Sequence, residues 1–121
     1  MGKEAVDRDS FDEAIQWFET AIAARPKLVV SHVCLGLALD MTGRDEEALE
    51  SFENAACLDP EDPVPLYNVA RVLVKLERYA DAFEVLSQLV ATYPDIAADL
   101  ASDEAFAAVR HDSRFRVVLG V

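Results

Sequence analysis

Apolar residues recur at three- and four-residue steps through Ala14, Ile15, Phe18, Ala21 and Ile22, and the run stops at Pro26. Such spacing gathers an apolar stripe on one face of a helix. Thirty-four residues further on the pattern returns as Ala48, Phe52, Ala55 and Pro60, and after the same interval it returns again as Ala82, Leu86, Leu89 and Pro94. Three helices ended by proline at one fixed interval mark a repeat protein.

The stretches between these helices carry a different pattern. From about Lys27 to Met41 the chain is apolar almost all round, through Val29, Val30, Val33, Cys34, Leu35, Leu37, Ala38 and Leu39, which predicts a helix covered on more than one side. Gly43 supplies the left-handed residue that ends it, and Asp45, followed by Glu46 and Glu47, is expected to cap the next helix with acids near its positive end. The run Asp59 to Pro65 holds three prolines, which break one helix and sit in the first turn of another. Leu66 to Leu76 then predicts a helix, Glu77 and Arg78 a turn without glycine, and Ala82 to Val90 the paired helix. Tyr79 takes the aromatic place that Phe11 fills earlier.

At the start, Gly2 aligns with Gly36 and Ala70, and Ala5 with Leu39 and Leu73. Residues 1–8 therefore read as the second half of a helix, with a turn at Asp9, Ser10 and Phe11. Either the chain is a piece of a longer protein or its first helix is degenerate. After Pro94 the pattern fades into three short helical stretches: one with Ala97, Leu100 and Ala101, one capped by Ser102 or Asp103 with Phe106 and Val109, and one capped by Asp112 with Phe115, Val118 and Leu119. Arg110, Arg114 and Arg116 make this end basic.

Among 121 residues there are 23 acids and 11 bases, a formal net charge of -12. That balance repels nucleic acid and anionic lipid at long range, and no window approaches the roughly 20 apolar residues of a membrane span. Only Lys3, Lys27 and Lys75 among the bases are lysines, a balance suited to a salt-rich cytoplasm and equally to a solvated helical repeat. Cys34 and Cys57 lack metal-ligand or disulfide-framework spacing; they read as small buried thiols in a reducing compartment, which makes the protein cytoplasmic. His32 reads as a packed residue and His111 as solvated, and Glu47, Glu50 and Glu53 form an outward face. With no phosphate loop, metal cluster or nucleophile constellation, the chain reads as non-catalytic and without cofactors.

These marks together resemble the tetratricopeptide repeat, a 34-residue pair of antiparallel helices. The family's first helix is matched by His32, Leu35, Gly36 and Leu39, and less closely by Leu66, Val69, Ala70 and Leu73. Its second helix is matched in full by Ala14, Phe18, Ala21 and Pro26 and by Ala48, Phe52, Ala55 and Pro60, while the third copy substitutes Leu86 and Leu89. The resemblance implies an all-α fold, a right-handed alpha-alpha superhelix of antiparallel helix pairs with a C-terminal helical cap. It places a partial repeat at 1–28, repeats at 29–62 and 63–96, and capping helices at 97–121. Gly36, Ala48 and Ala55 would be small where helices approach, with Phe18 and Phe52 filling the gap between one pair and the next.

In this family the first helices line a concave groove. Carried across by position, that groove comprises Val30, Val33, Cys34, Leu37 and Met41, then Val64, Tyr67, Asn68, Arg71, Val74 and Lys75, with Lys3 and Val6 from the partial repeat. It implies a protein or peptide partner, its apolar side chains near Val33 and Leu37, and Asn68 and Arg71 on its backbone or a carboxylate. Some members grip a chaperone's C-terminal carboxylate with Lys, Asn and Arg; Val33, Cys34 and Leu37 depart from that set, and Asn68 alone matches it. The tail folded over the groove, or homo-oligomerisation through the groove or the open N-terminal end, would cover the same apolar surface.

Overall fold

The computed structural model describes residues 2–121, with side chains described from Ser10 onward. Among them are eight helices and no strand, divided between two compact units, Met1–Glu61 and Asp62–Val121. The first unit holds α1 (Gly2–Ala24), α2 (Val29–Met41) and α3 (Asp45–Leu58); the second opens with α4 (Pro63–Lys75) and α5 (Tyr79–Thr92). Every boundary of the second pair is displaced by 34 residues from the first: Val29 to Pro63, Met41 to Lys75, Asp45 to Tyr79 and Leu58 to Thr92. Against the stretches expected at Leu66–Leu76 and Ala82–Val90, both helices begin about a turn earlier, α4 ends at Lys75 and α5 runs on to Thr92.

In the first unit α2 packs against both α1 and α3. A Cβ added to Gly36 would meet Phe52 Cε1 at 2.6 Å, Cδ1 at 2.7 Å and Cζ at 2.8 Å. Phe52, Ala48 and Ala55 are fully buried around this approach. Phe52 thus lies against the first helix of its own pair, whereas the expectation placed it between pairs, and Phe18 is only half-buried. His32 Nε2 donates to Pro26 O at 2.8 Å; since a carbonyl can only accept, the proton is on Nε2. His32 is a buried brace for the α1–α2 connection.

Two local expectations are corrected. The turn expected at Asp9, Ser10 and Phe11 is absent, because α1 runs unbroken from Gly2 to Ala24. The 34-residue interval puts Asp9 where Gly43 stands with φ +79°, but Asp9 lacks glycine's freedom, and a remnant of about two turns is too short to hold as a separate helix. The side chains of Lys3, Ala5 and Val6 lie outside the described residues. Asp45 is not a cap either: Arg44 stands at the N-cap of α3 and Asp45 lies inside the first turn. Arg44 instead donates from Nε and Nη2 to Glu47 Oε1 and Oε2, at 2.9 and 2.7 Å. The acids still complement the helix dipole.

In the second unit Asp62 caps α4 by accepting from Val64 N at 3.0 Å, and Pro63 takes the first helical position. The turn to α5 passes through Glu77 at φ +60°. Then come α6 (Ile96–Ser102), a 3-10 helix (Glu104–Val109) and α7 (Ser113–Leu119). The last two are capped by Asp103, accepting from Ala105 N at 2.8 Å, and Asp112, accepting from Arg114 N at 2.9 Å.

An aromatic chain ties this tail down. Tyr67 meets Phe106 edge-on at 5.7 Å, Phe106 stacks on Phe115 at 6.0 Å, and Phe115 lies 6.2 Å from Phe83. The Arg114 guanidinium sits 4.8 Å over the Phe83 ring and pairs with Asp112. Tyr67 OH also donates to the Asp103 carboxylate. That bond holds the Asp103 carboxyl below its usual value, while burial, helped by Asp103, pushes the Tyr67 phenol up. The depressed Asp103 value contributes stability above the unfolded carboxylate value of about 3.9, lost as pH falls through the folded value. The raised Tyr67 value contributes below about pH 10 and is lost as pH climbs further.

Three stability outcomes follow, each readable by denaturant unfolding. Gly36→Ala should be net destabilising: overpacking against the ring costs about 1–3 kcal/mol, against a helix-propensity gain of roughly 1 kcal/mol. Adding Phe52→Leu should recover part of the loss. Glu77→Gly should stabilise by roughly 0.5–1 kcal/mol, since relief of the left-handed backbone exceeds the unfolded-state entropy of glycine. Tyr67→Phe should cost about 1–3 kcal/mol near neutral pH, and its deficit should shrink below about pH 4 as Asp103 becomes protonated; a deficit constant down to pH 2 would remove the carboxylate from the account.

Candidate functional site

The residues buried on α2 are Ser31, His32, Gly36, Ala38, Leu39 and Asp40, so several are small or polar. Larger apolar residues stand outside: Val30 is 58% exposed, Leu37 42% and Met41 65%. Leu39 and His32 are buried as well, so register on the helix, rather than size, decides which side chains stand outside. The helix is covered on more than one side, as expected, but a third face remains open. Val30, Cys34, Leu37 and Met41 follow at four-, three- and four-residue steps along that face with Val33 beside Cys34, and Val33 and Cys34 are half-buried.

The same five register positions on α4 are Val64, Tyr67, Asn68, Arg71 and Lys75. Their chemistry is different. Asn68 Nδ2 donates to Val64 O at 3.1 Å, and Arg71 donates from Nε and Nη2 to Asn68 Oδ1 at 3.4 and 3.2 Å. The Asn68 side chain is thereby held with its oxygen toward the guanidinium, which fixes the orientation of both groups. Tyr67, engaged with Asp103 and Phe106, is half-buried by the tail, whereas Lys75 is exposed. Val74 is buried and belongs to the core of the pair, so it leaves the set of candidate groove residues.

Beside these residues is a shallow, mostly apolar hollow of ≈ 130 Å³ lined by Pro63, Val64, Tyr67, Asn68 and Ile96. Pro63 and Ile96 were not among the sequence candidates. Pro63 reads from sequence only as a helix start, and Ile96 reaches the hollow because the turn after Pro94 brings α6 back beside α4. The hollow suits one apolar side chain, with Asn68 at its rim.

Nothing in this arrangement resembles a reaction centre. Among the described residues no group of His, Cys, Asp and Glu is placed to hold a metal ion, and no helix is long and apolar enough to cross a membrane. What the two faces offer is a row of apolar side chains on α2 and oriented polar and basic groups on α4.

Comparison with known proteins agrees with the register of the helices. The pattern of the tetratricopeptide repeat family matches residues 41–102. The chain is 31% identical over 91 residues to Superkiller protein 3 of Schizosaccharomyces pombe, a match covering 75% of this chain and 7% of that protein. It is 27% identical over 89 residues to Superkiller protein 3 of Saccharomyces cerevisiae, covering 74% and 6%. The chain therefore spans less than a tenth of the length of these relatives. With helix pairs recurring at 34 residues, Gly36 against Phe52, and this match across α3, α4, α5 and α6, the chain belongs to the tetratricopeptide repeat family.

Proposed function

We propose that this chain is a non-catalytic protein-interaction module whose open α2 face binds a segment of a partner protein. Tetratricopeptide repeats generally mediate contacts between proteins. The observation that carries the reading here is the open face of α2, where Val30, Leu37 and Met41 stand exposed beside half-buried Val33 and Cys34. A run of large apolar side chains on a charged, acidic protein calls for a cover. An extended or helical segment would place its apolar side chains on this face; the α4 face, taken by itself, offers the hollow beside Val64 and Tyr67 to one apolar side chain and Asn68 and Arg71 to backbone amides, carbonyls or a carboxylate.

The two cysteines, expected to be buried, are half-buried at Cys34 and exposed at Cys57; both are free thiols, which fits a module working in the reducing cytoplasm. The competing use of the α2 face is assembly with another copy of the chain. Leu37→Glu separates the two. Leu37 is exposed enough for the substitution to change stability by no more than about 0.5 kcal/mol. Peptides selected from a random library on the full chain should bind Leu37→Glu at least about tenfold more weakly, a loss of roughly 1.4 kcal/mol, while light scattering shows one unchanged monomeric mass for both proteins. A wild-type oligomer that falls to monomer on substitution would establish assembly instead, and unchanged peptide affinity with unchanged mass would remove this face from either use.

A further inference from the structure

The α4 face already holds a carboxylate, and the chain itself supplies it. Tyr67 OH donates to one oxygen of Asp103, and the other oxygen accepts from Ala105 N at 2.8 Å. The tail thereby lays a charged side chain against the middle of α4. Arg71 stands one turn along α4 from Tyr67: after the Tyr67 bond and the Ala105 amide, its charge is a further influence that favours the ionised Asp103. Arg71 also donates to Asn68 Oδ1, and Asn68 and Tyr67 both line the hollow completed by Pro63, Val64 and Ile96. An apolar hollow, an oriented amide, a base and a resident acid thus lie side by side within the second unit.

The resident acid says what chemistry this face takes. It accommodates a side-chain carboxylate, because it holds one. Capping does not by itself call for that charge, since serine or asparagine at position 103 would also cap the 3-10 helix. The charge has a consequence for any ligand: an acid brought to Arg71 meets Asp103, of the same sign, and Asp99, whose charge also acts on Tyr67.

We propose that Asp103 is an autoinhibitory occupant of the α4 face, and that the partner segment this face takes carries an acidic side chain close to an apolar one. The proposal rests on the reading of α4 as a binding face. The apolar side chain enters the hollow, and the acid meets Arg71 against the repulsion of Asp103. Four residues of helix separate Tyr67 from Arg71, about 6 Å, which an extended segment covers in roughly two residues.

The test uses the full chain and a capped heptapeptide with leucine at its centre, glutamate two residues to either side, and glycine or alanine elsewhere; the two glutamates serve either chain direction. Amide NMR titration, followed at the Asn68 side chain and at Ile96, gives the affinity. Asp103→Asn and Asp103→Ser, which keep a capping group, should bind this peptide about three- to tenfold more tightly than the wild-type chain with unchanged far-ultraviolet circular dichroism. Glu104→Gln removes an equal charge from an exposed neighbouring position and should change affinity by less than about twofold. With glutamine in place of both glutamates, the peptide should bind wild type and Asp103→Asn alike. Unchanged affinity in Asp103→Asn, or an equal gain for the glutamine peptide or from Glu104→Gln, would overturn autoinhibition and leave the α4 reading standing. No perturbation at Asn68 or Ile96 with any of these proteins would remove both.

Discussion

The rest of the first unit depends on one close approach, that of Gly36 on α2 to the ring of Phe52 on α3. With ring carbons within 2.8 Å of where a Cβ would stand, the backbone of α2 at Gly36 lies directly against the ring with no room for a side chain between them. Ala48 and Ala55 flank the ring on its own helix and are fully buried, so small residues bracket the large one. Packed against α3 on one side and α1 on another, α2 buries Gly36, Ala38, Ser31 and Asp40 together with the larger His32 and Leu39. Val30, Leu37 and Met41 are left outside. The exposed apolar face is therefore a consequence of how the pair packs: the side chains available to a partner are those whose register turns them away from both neighbouring helices.

The two complete pairs share their backbone register and diverge on this face. Where α2 carries Val33, Cys34 and Leu37, α4 carries Tyr67, Asn68 and Arg71. On α4 the polar groups already contact one another, Asn68 with the Val64 carbonyl and Arg71 with Asn68. A ligand group would join or displace those bonds. Their gain is orientation, since an amide held by its neighbour loses less freedom on binding than one that swings free. Tyr67 is further committed, its hydroxyl to Asp103 and its ring to Phe106. The tail is thus a fixed wall of the α4 face, which is how Ile96 comes to line the hollow.

Much of this was legible in the sequence because a repeat states each requirement more than once. The prolines at 26, 60 and 94 and the alanine–aromatic–alanine spacing locate the second helices, and Asp103 and Asp112 were legible as caps because each stands just before a short apolar run. Where a single position departs from the repeat, the reading failed. Asp9 occupies a turn position without the residue that makes the turn, and nothing local reveals that the helix will run on. Asp45 has the composition of a cap but arrives one residue late, because Arg44 takes the N-cap and pairs with Glu47. On the binding face, Val74 shares the sequence character of Val64 and only packing tells them apart. Trp17 carried a signal that went unread: it replaces Ser51 and Val85 at a register where both complete pairs admit a smaller side chain.

That replacement sets α1 apart from α3 and α5. A helical stack exposes apolar surface wherever a unit lacks a neighbour, and terminal units commonly answer with a polar outer face. The second unit answers with its tail, which buries Phe83, Phe106 and Phe115 together and stacks Arg114 over an aromatic ring, although Val117 remains exposed beyond it. On α1 the position that is serine in the next pair is instead tryptophan, the largest apolar-bodied side chain available. Solubility alone favours the serine. With 74% of it exposed, Trp17 leaves apolar ring surface on α1 in water, surface that burial would stabilise.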